Sequence, residues 1–382
     1  MTTALLKNFA PVILSVCLLA ACGGEGYDSL MNSARTALSK GESKAAIIQL
    51  KNALLKNPEA GEARFLLGKA FLDSGDARSA EVELRKAIAA KFEPERIAPV
   101  LARAQLALQA YKPMIDLYGD FKLEDAAARA DLMTSLATAY EATGARDKGA
   151  AALQQALLAQ PGFAPAVLLQ VRLKLREGDA PAALQMLNEL LKSDAKLVEA
   201  WRLKGDVVLG SIKAGAEGAK AMDLAEGVAA YRQALTLAPK DLGAHAGLIN
   251  HWIEAGELDK AAADLATLKQ ALPKDPQAFY FEALLAYSRK DFAAARGPAQ
   301  DLVKLAPESP LALQLGGAIE YELKNFGPAE EMLAKALKLS PNLSAPRRML
   351  AQIYLLTSSP AKAVTVIQPL LLNGTPAAQI YS

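Results

Sequence analysis

The sequence predicts an all-α protein built from a repeated pair of helices, and two observations carry this prediction. Hydrophobic residues make up 52% of the 382 residues but aromatic residues only 6%, so the apolar content lies in alanine and leucine rather than in the residues that fill sheets. A period of 34 residues also runs through the chain. It is clearest at Pro239, Pro273, Pro307 and Pro341, and at Ala261, Ala295, Ala329 and Ala363.

Composition excludes several classes of function. The 43 basic and 41 acidic side chains give a formal charge of +2, which is too balanced for a protein that binds phosphates, so we expect no nucleic-acid partner. Two cysteines and two histidines leave little material for a zinc site or a thiol enzyme. His245 and His251 lie six residues apart, about 240° around a helix, and cannot share a metal. Without an HExxH, CxxC or GxSxG motif, we expect no enzyme, no cofactor and no metal.

The amino terminus has the pattern of an export signal over residues 1–21, with an apolar stretch well short of the roughly 20 residues of a transmembrane helix. The residues Leu19-Ala20-Ala21-Cys22 resemble the lipobox of bacterial lipoproteins, which implies an acylated Cys22. The alternative is an ordinary cleaved signal with a free Cys22. Because Gly23 stands where an inner-membrane lipoprotein has Asp, the resemblance favours the outer membrane of a Gram-negative bacterium, facing the periplasm. Residues 22–26 would form a short leash.

With the closing proline as position 32, ten units tile residues 27–377 and start near residues 27, 61, 95, 130, 164, 198, 242, 276, 310 and 344. Positions 8 and 20 are small in most units, so we expect the two helices of each unit to pack closely there. A glycine turn joins the helices, and proline ends the second helix. The predicted packing residues are Ala46, Gly68, Ala80, Ala183, Gly205, Ala261, Ala295, Gly317, Ala329 and Ala363.

Three places depart from this regularity. Pro113 and Gly119 in the second helix of the third unit predict a local irregularity. Ten residues are inserted in the sixth unit, around 211–222, where they would extend both helices or form a loop at one edge. Residues 378–382 look like the start of a further repeat, and the absence of a capping helix predicts a fragment of a longer repeat protein.

The spacing, the small residues on paired helices and the closing proline resemble the tetratricopeptide repeat (TPR). That resemblance implies one right-handed superhelix of antiparallel helix pairs, with positions 2, 5, 9, 12 and 13 of the first helices lining a concave partner-binding groove. Three arginines would form a cationic stretch suited to carboxylates or anionic sugars, and amide and aromatic side chains would hold a peptide or stack on sugar rings. The alternative is that these side chains only fill grooves between repeats. The groove residues are Arg172, Arg176, Arg202, Asn250, Tyr280, Tyr287, Gln314, Tyr321, Arg348 and Gln352.

A narrower resemblance lies in the first 90 residues, over segments 43–54, 63–69 and 80–87, which are similar to the PrsT-like TPR lipoproteins of exosortase/PEP-CTERM systems. It implies a non-enzymatic, membrane-anchored scaffold for protein–protein interactions in exopolysaccharide biosynthesis and PEP-CTERM protein sorting. Its partners would be envelope proteins of that machinery, with polysaccharide as a further candidate. The first alternative is a periplasmic scaffold of an outer-membrane exopolysaccharide exporter. The second is an enzyme whose catalytic domain lies beyond Ser382.

Overall fold

A computed structural model describes residues 26–215 and 223–372, and within those ranges it contains twenty α-helices and no strand. The helices follow one another as ten hairpins, each with a first and a second helix. The chain divides into two compact units, one ending at Gln170 and the other beginning at Val171. This boundary falls inside the ninth helix, α9 (Ala164–Arg176).

The first unit contains four complete hairpins, in which α1 packs on α2, α3 on α4, α5 on α6 and α7 on α8. Its helices are α1 (Tyr27–Ser39), α2 (Ser43–Lys56), α3 (Gly61–Asp73), α4 (Ala77–Ala89), α5 (Pro94–Ala107), α6 (Tyr111–Tyr118), α7 (Ala126–Ala142) and α8 (Arg146–Ala159).

The second unit takes the end of α9 and eleven further helices, in which each first helix from α11 onward packs on the second helix that follows it. They are α10 (Ala180–Ser193), α11 (Val198–Ala214), α12 (Leu224–Leu237), α13 (Leu242–Glu254), α14 (Leu258–Ala271), α15 (Pro276–Ser288), α16 (Phe292–Leu305), α17 (Pro310–Glu322), α18 (Phe326–Leu339), α19 (Ser344–Leu356) and α20 (Pro360–Leu372). Eight first helices in the chain begin at the residue that opens a 34-residue unit, while α5 begins one residue earlier and α7 four.

Small residues lie where the two helices of a hairpin come closest. A Cβ atom added at Gly68 would lie 2.6 Å from Cγ of Leu84, and one at Gly317 would lie 2.7 Å from Cγ of Leu333. Leucine of the second helix therefore occupies the space that a larger side chain on the first helix would need. The alanines of the packing set are all buried, namely Ala46, Ala80, Ala183, Ala261, Ala295, Ala329 and Ala363.

Among the described residues, the connection inside each hairpin contains one residue with a positive φ angle. Glycine occupies this place in six hairpins, and its lack of a Cβ makes the conformation inexpensive. Larger residues adopt the same conformation in the other four, so the hairpin geometry imposes it even where the side chain opposes it. These residues are Gly41, Gly75, Gly144, Gly178, Gly215 and Gly256, and Gln109, Lys290, Lys324 and Ser358.

The start of several first helices is fixed by a hydrogen bond from the side chain at position 4 to a carbonyl oxygen six residues earlier. Nη2 of Arg64 donates to Pro58 at 2.8 Å, and Nε1 of Trp201 donates to Ala195 at 2.9 Å. Nε2 of His245 lies 3.0 Å from the Pro239 oxygen and carries the proton, because a carbonyl only accepts. His245 is thus a buried structural residue.

The two irregular units differ from the others in helix length. Helix α6 has eight residues, against 13 or 14 in the other second helices, and it ends directly before Gly119. Pro113 is tolerated in its first turn, where the backbone N–H has no helical acceptor. In the sixth unit α11 reaches 17 residues while α12 keeps the usual 14, so part of the insertion lengthens the first helix only. The rest of the insertion, Cys22 and residues 378–382 lie outside the described residues.

No helix within residues 26–215 and 223–372 combines the length and the apolar character needed to cross a bilayer.

Candidate functional site

The predicted groove residues all lie in the second unit or on α9 at its boundary. The first helices α11, α13, α15, α17 and α19 contact one another in chain order and form one side of the second unit, here named the first-helix face. In chain order, the ten residues are Arg172 and Arg176 on α9, Arg202 on α11, Asn250 on α13, Tyr280 and Tyr287 on α15, Gln314 and Tyr321 on α17, and Arg348 and Gln352 on α19.

The arginine stretch is compensated by carboxylates rather than purely cationic. The Arg172 guanidinium donates a hydrogen bond to Glu199. The guanidinium of Arg202 lies 3.9 Å from Oδ2 of Asp206 and 3.8 Å from Oδ1 of Asp241. The acidic partners lie on the next first helix, directly before the first helix after it, or one turn further along the same helix.

The pairing of Arg172 with Glu199 has a counterpart at two other junctions between first helices. A cation at position 9 of one first helix meets an acid at position 2 of the next first helix, where the two helices lie side by side. Arg35 bonds Glu62 at 2.9 Å, and Nε of Arg103 lies 3.4 Å from Asp131. Two of these pairs are 27 residues apart, and the third is 28 apart because of the extra residue before the fourth unit.

At the junction of α13 and α15 the same two positions hold the amides Asn250 and Gln277. Two neutral amides form no ion pair, and here they line a cavity of about 410 Å³. We name this cavity the amide pocket and define it by Ala246, Asn250, Gln277, Tyr280 and Leu311. These five residues come from positions 2, 5 and 9 of three successive units, and Leu302 of the second helix α16 also lines the cavity.

The amide pocket combines apolar walls with hydrogen-bonding groups. Each amide can both donate and accept, and Asn250 is exposed. The Tyr280 ring packs edge-on against Phe281, with centroids 5.2 Å apart. Burial raises the pKa of Tyr280, which keeps its hydroxyl protonated and able to donate. Leu311 is 53% exposed and supplies an unpartnered apolar surface. Such a mixture suits a ligand with both an apolar group and polar groups.

Tyr287 and Tyr321 form a second aromatic feature of the face, one repeat apart. Each ring packs against a phenylalanine that opens the following second helix: Tyr287 against Phe292 at 5.3 Å and Tyr321 against Phe326 at 5.9 Å. Burial, followed by the negative charge of Glu322, raises the pKa of Tyr287. These contacts favour the alternative for this pair, in which the rings fill the space between helices.

The remaining predicted residues do not line the amide pocket. Gln314 and Arg348 are half-buried, and Gln352 is exposed on α19. Sequence reasoning missed Gln277 and Leu311, both at position 2. The signal that would have found them is the 27-residue spacing between positions 9 and 2. Within the described part of the chain no group of three or more His, Cys, Asp or Glu residues is arranged to hold a metal ion.

Comparison with known proteins agrees with this repeat geometry. Two tetratricopeptide-repeat models match the sequence, one over residues 31–95 and the other over residues 219–286. The chain contains tetratricopeptide repeats in these two segments. No curated protein sequence matches it significantly.

Among solved TPR-like folds, yeast Tom70 is similar with a TM-score of 0.52 at 14% identity, over 91% of this chain and 85% of that one. The human IFIT1 dimer with m7Gppp-AAAA is similar with a TM-score of 0.55 at 17% identity, over 91% of this chain and 82% of that one. At such low identity these similarities show a common fold alone. TPR domains bind proteins, which makes the first-helix face the candidate binding surface.

Proposed function

We propose that this chain is a non-enzymatic scaffold whose amide pocket binds an extended segment of a partner protein. The observation that carries the proposal is the cavity of about 410 Å³ that the two amides Asn250 and Gln277 line beside Tyr280. An extended peptide brings unpaired backbone N–H and C=O groups, and side-chain amides can pair with both. The apolar walls then hold one of its side chains.

The cellular setting that we propose is the envelope of a Gram-negative bacterium, in exopolysaccharide biosynthesis and PEP-CTERM protein sorting. Support comes from the lipobox-like residues before Cys22 and from the PrsT-like segment 43–54. In this proposal acylated Cys22 anchors the chain to the outer membrane on the periplasmic side, and the partners are envelope proteins of the exosortase or exopolysaccharide machinery.

A glycan is the competing occupant of the amide pocket. The half-buried Tyr280 ring beside two amides also suits a sugar ring, which stacks on aromatic faces and bonds through its hydroxyls. This occupant would fit the scaffold of an outer-membrane exopolysaccharide exporter.

Affinity capture from native envelope membranes tests the proposal. The full-length protein anchored through Cys22 is compared with Asn250→Ala and Gln277→Ala, and with Gln352→Ala, an exposed amide on the same face outside the pocket. We expect exosortase or polysaccharide-synthesis proteins to be recovered by the parent and by Gln352→Ala, and lost with both pocket variants.

Retention of purified polymer instead, lost in the same two variants, would assign the pocket to a glycan. Equal protein recovery by all four forms would reject the amide pocket as the binding site.

A further inference from the structure

A recess on the first unit lies between the second helices of two neighbouring hairpins. We name it the outer groove: α2 and α4 form its edges, α3 forms its floor, and its volume is about 690 Å³. Leu54, Leu67 and Phe71 line the floor and inner wall, and Leu55 and Val82 stand on opposite edges. The lining is thus mostly hydrocarbon.

Two large aliphatic side chains on the edges of the outer groove face solvent. Leu55 is 80% exposed and Val82 is 47% exposed, whereas Leu67 beneath them is buried. A single exposed leucine on a surface is ordinary, but aliphatic side chains on both sides of an apolar recess mark an interaction surface. The edges of the groove therefore offer area that a partner can bury.

The charges around the outer groove are mainly positive. Nζ of Lys51 lies 5.3 Å from the centre of the Phe71 ring, and Arg78 is exposed at the other edge. Glu83 is held by two cations, since Nη1 of Arg64 and Nζ of Lys86 each lie 2.7 Å from it. Among the residues that line the groove, the cations Lys51, Arg64 and Arg78 outnumber the single acid Glu83 by two, and this surplus complements acidic side chains.

We propose that the outer groove binds an amphipathic α-helix of a partner protein, with apolar residues toward the groove and acidic residues along its flanks. The proposal does not depend on the amide pocket. A helix satisfies its own backbone hydrogen bonds, whereas an extended segment would leave N–H and C=O groups against hydrocarbon walls without partners. Laying a helix between α2 and α4 repeats the packing of ridges into grooves that builds the array itself.

A flat bilayer surface fits the outer groove less well than a helix. Lipid headgroups would meet Leu55 and Val82 on the edges but leave the buried floor at Leu67 uncovered. The recessed shape of the outer groove therefore favours a protein helix.

Binding of synthetic helices to the full chain tests the proposal. The probe is a lactam-bridged peptide of about 14 residues with leucines at i, i+3, i+4 and i+7 and glutamates on both flanks, and its control carries lysines in place of the glutamates. We expect the acidic helix to bind at least about tenfold more tightly than the lysine helix at low salt, with the difference shrinking as salt rises.

Variants of exposed leucines give the matched control. Leu55→Ser should weaken binding of the acidic helix by about tenfold, since it removes apolar area that the helix covers. Leu158→Ser should leave binding unchanged, because Leu158 on α8 is 75% exposed but lies outside the groove. Both substitutions replace exposed side chains, so we expect both variants to remain folded, and their unfolding curves check this.

Three results would overturn the proposal. They are equal affinity for the acidic and lysine helices, equal affinity of the two serine variants, and no binding of either helix. Leu55-dependent binding to phosphatidylglycerol vesicles without binding to the acidic helix would likewise overturn it and assign the surface to lipid.

Discussion

The substitution Gly247→Ala, which adds one methyl group, should destabilise the α11–α13 region of the second unit by about 2–4 kcal/mol. The Tyr231 ring of α12 lies between glycines of α11 and α13, and only 3% of the residue is exposed. A Cβ atom at Gly247 would lie 2.3 Å from Cζ and 2.5 Å from the hydroxyl oxygen of Tyr231. The Tyr231 ring cannot move away from the added Cβ atom, because Gly205 of α11 lies against the ring as well.

The magnitude follows from three contributions. Forcing the ring out of place costs about 1–3 kcal/mol, as overpacking of a core does. The Tyr231 hydroxyl donates to Asp206 at 2.6 Å, and losing a hydrogen bond to a charged group costs about 1.5–3 kcal/mol. The better helix propensity of alanine returns up to about 1 kcal/mol. Because Asp206 is partly exposed, the lower half of the hydrogen-bond range applies.

Hydrogen exchange resolved by peptide is the assay, since repeat arrays can unfold in sections and one global midpoint would mix them. Gly247→Ala should speed exchange in α11, α12 and α13. Gly210→Ala on α11 is the control, because no atom from elsewhere in the described part of the chain lies within 4 Å of its new Cβ, and it should exchange no faster than the parent. Adding Tyr231→Leu should reduce the cost of Gly247→Ala. Equal protection in the two alanine variants would refute this reasoning.

Two further predictions concern polar side chains of the first unit. Gln105 is fully buried, and neither its Oε1 nor its Nε2 finds a hydrogen-bond partner among the described residues. Gln105→Met should therefore raise the free energy of unfolding, measured in urea, by about 1–2 kcal/mol. An unchanged or lower free energy of unfolding would contradict this prediction. For Glu83, burial raises the carboxyl pKa, but hydrogen bonds from Lys86 and Arg64 outweigh it and hold the pKa below the usual 4.5. The stabilising contribution of the Glu83 carboxylate is therefore present above pH 4.5 and is lost as the pH falls through the lowered pKa. In urea unfolding at a series of pH values, Glu83→Gln should not show this loss of stability. Parallel pH profiles of the parent and Glu83→Gln would contradict this assignment.

The repeated helix pairs could be predicted from the sequence because their cause is local and recurs every 34 residues. Gly68 and Gly317 are small since a leucine of the neighbouring helix occupies the space beside each, and that constraint appears as a column in the sequence. The turns were only partly predictable. Gly75 and Gly256 mark theirs, but Lys290 and Lys324 adopt the same left-handed conformation, which the surrounding hairpin imposes on a side chain that disfavours it.

The candidate site was harder to predict because it depends on pairs of residues in adjacent units. Arg172 carries a charge wherever it lies, but its effect on a ligand depends on Glu199, which is 27 residues away. Judging residues one at a time by their chemistry therefore favoured arginines and tyrosines and passed over Gln277. The spacing that joins Arg35 to Glu62 contains the missing information, since it identifies which positions meet across a junction.

The position 9 and position 2 pairs explain how a uniform array can carry a local site. Exposed ion pairs such as Arg35 with Glu62 contribute about 0–1 kcal/mol, so exchanging one for two amides costs little stability. At the α13–α15 junction the neutral pair Asn250 and Gln277 lies beside a cavity. Binding can therefore differ at one junction while the alanine and leucine contacts within each hairpin stay the same, because different residues make the two sets of contacts.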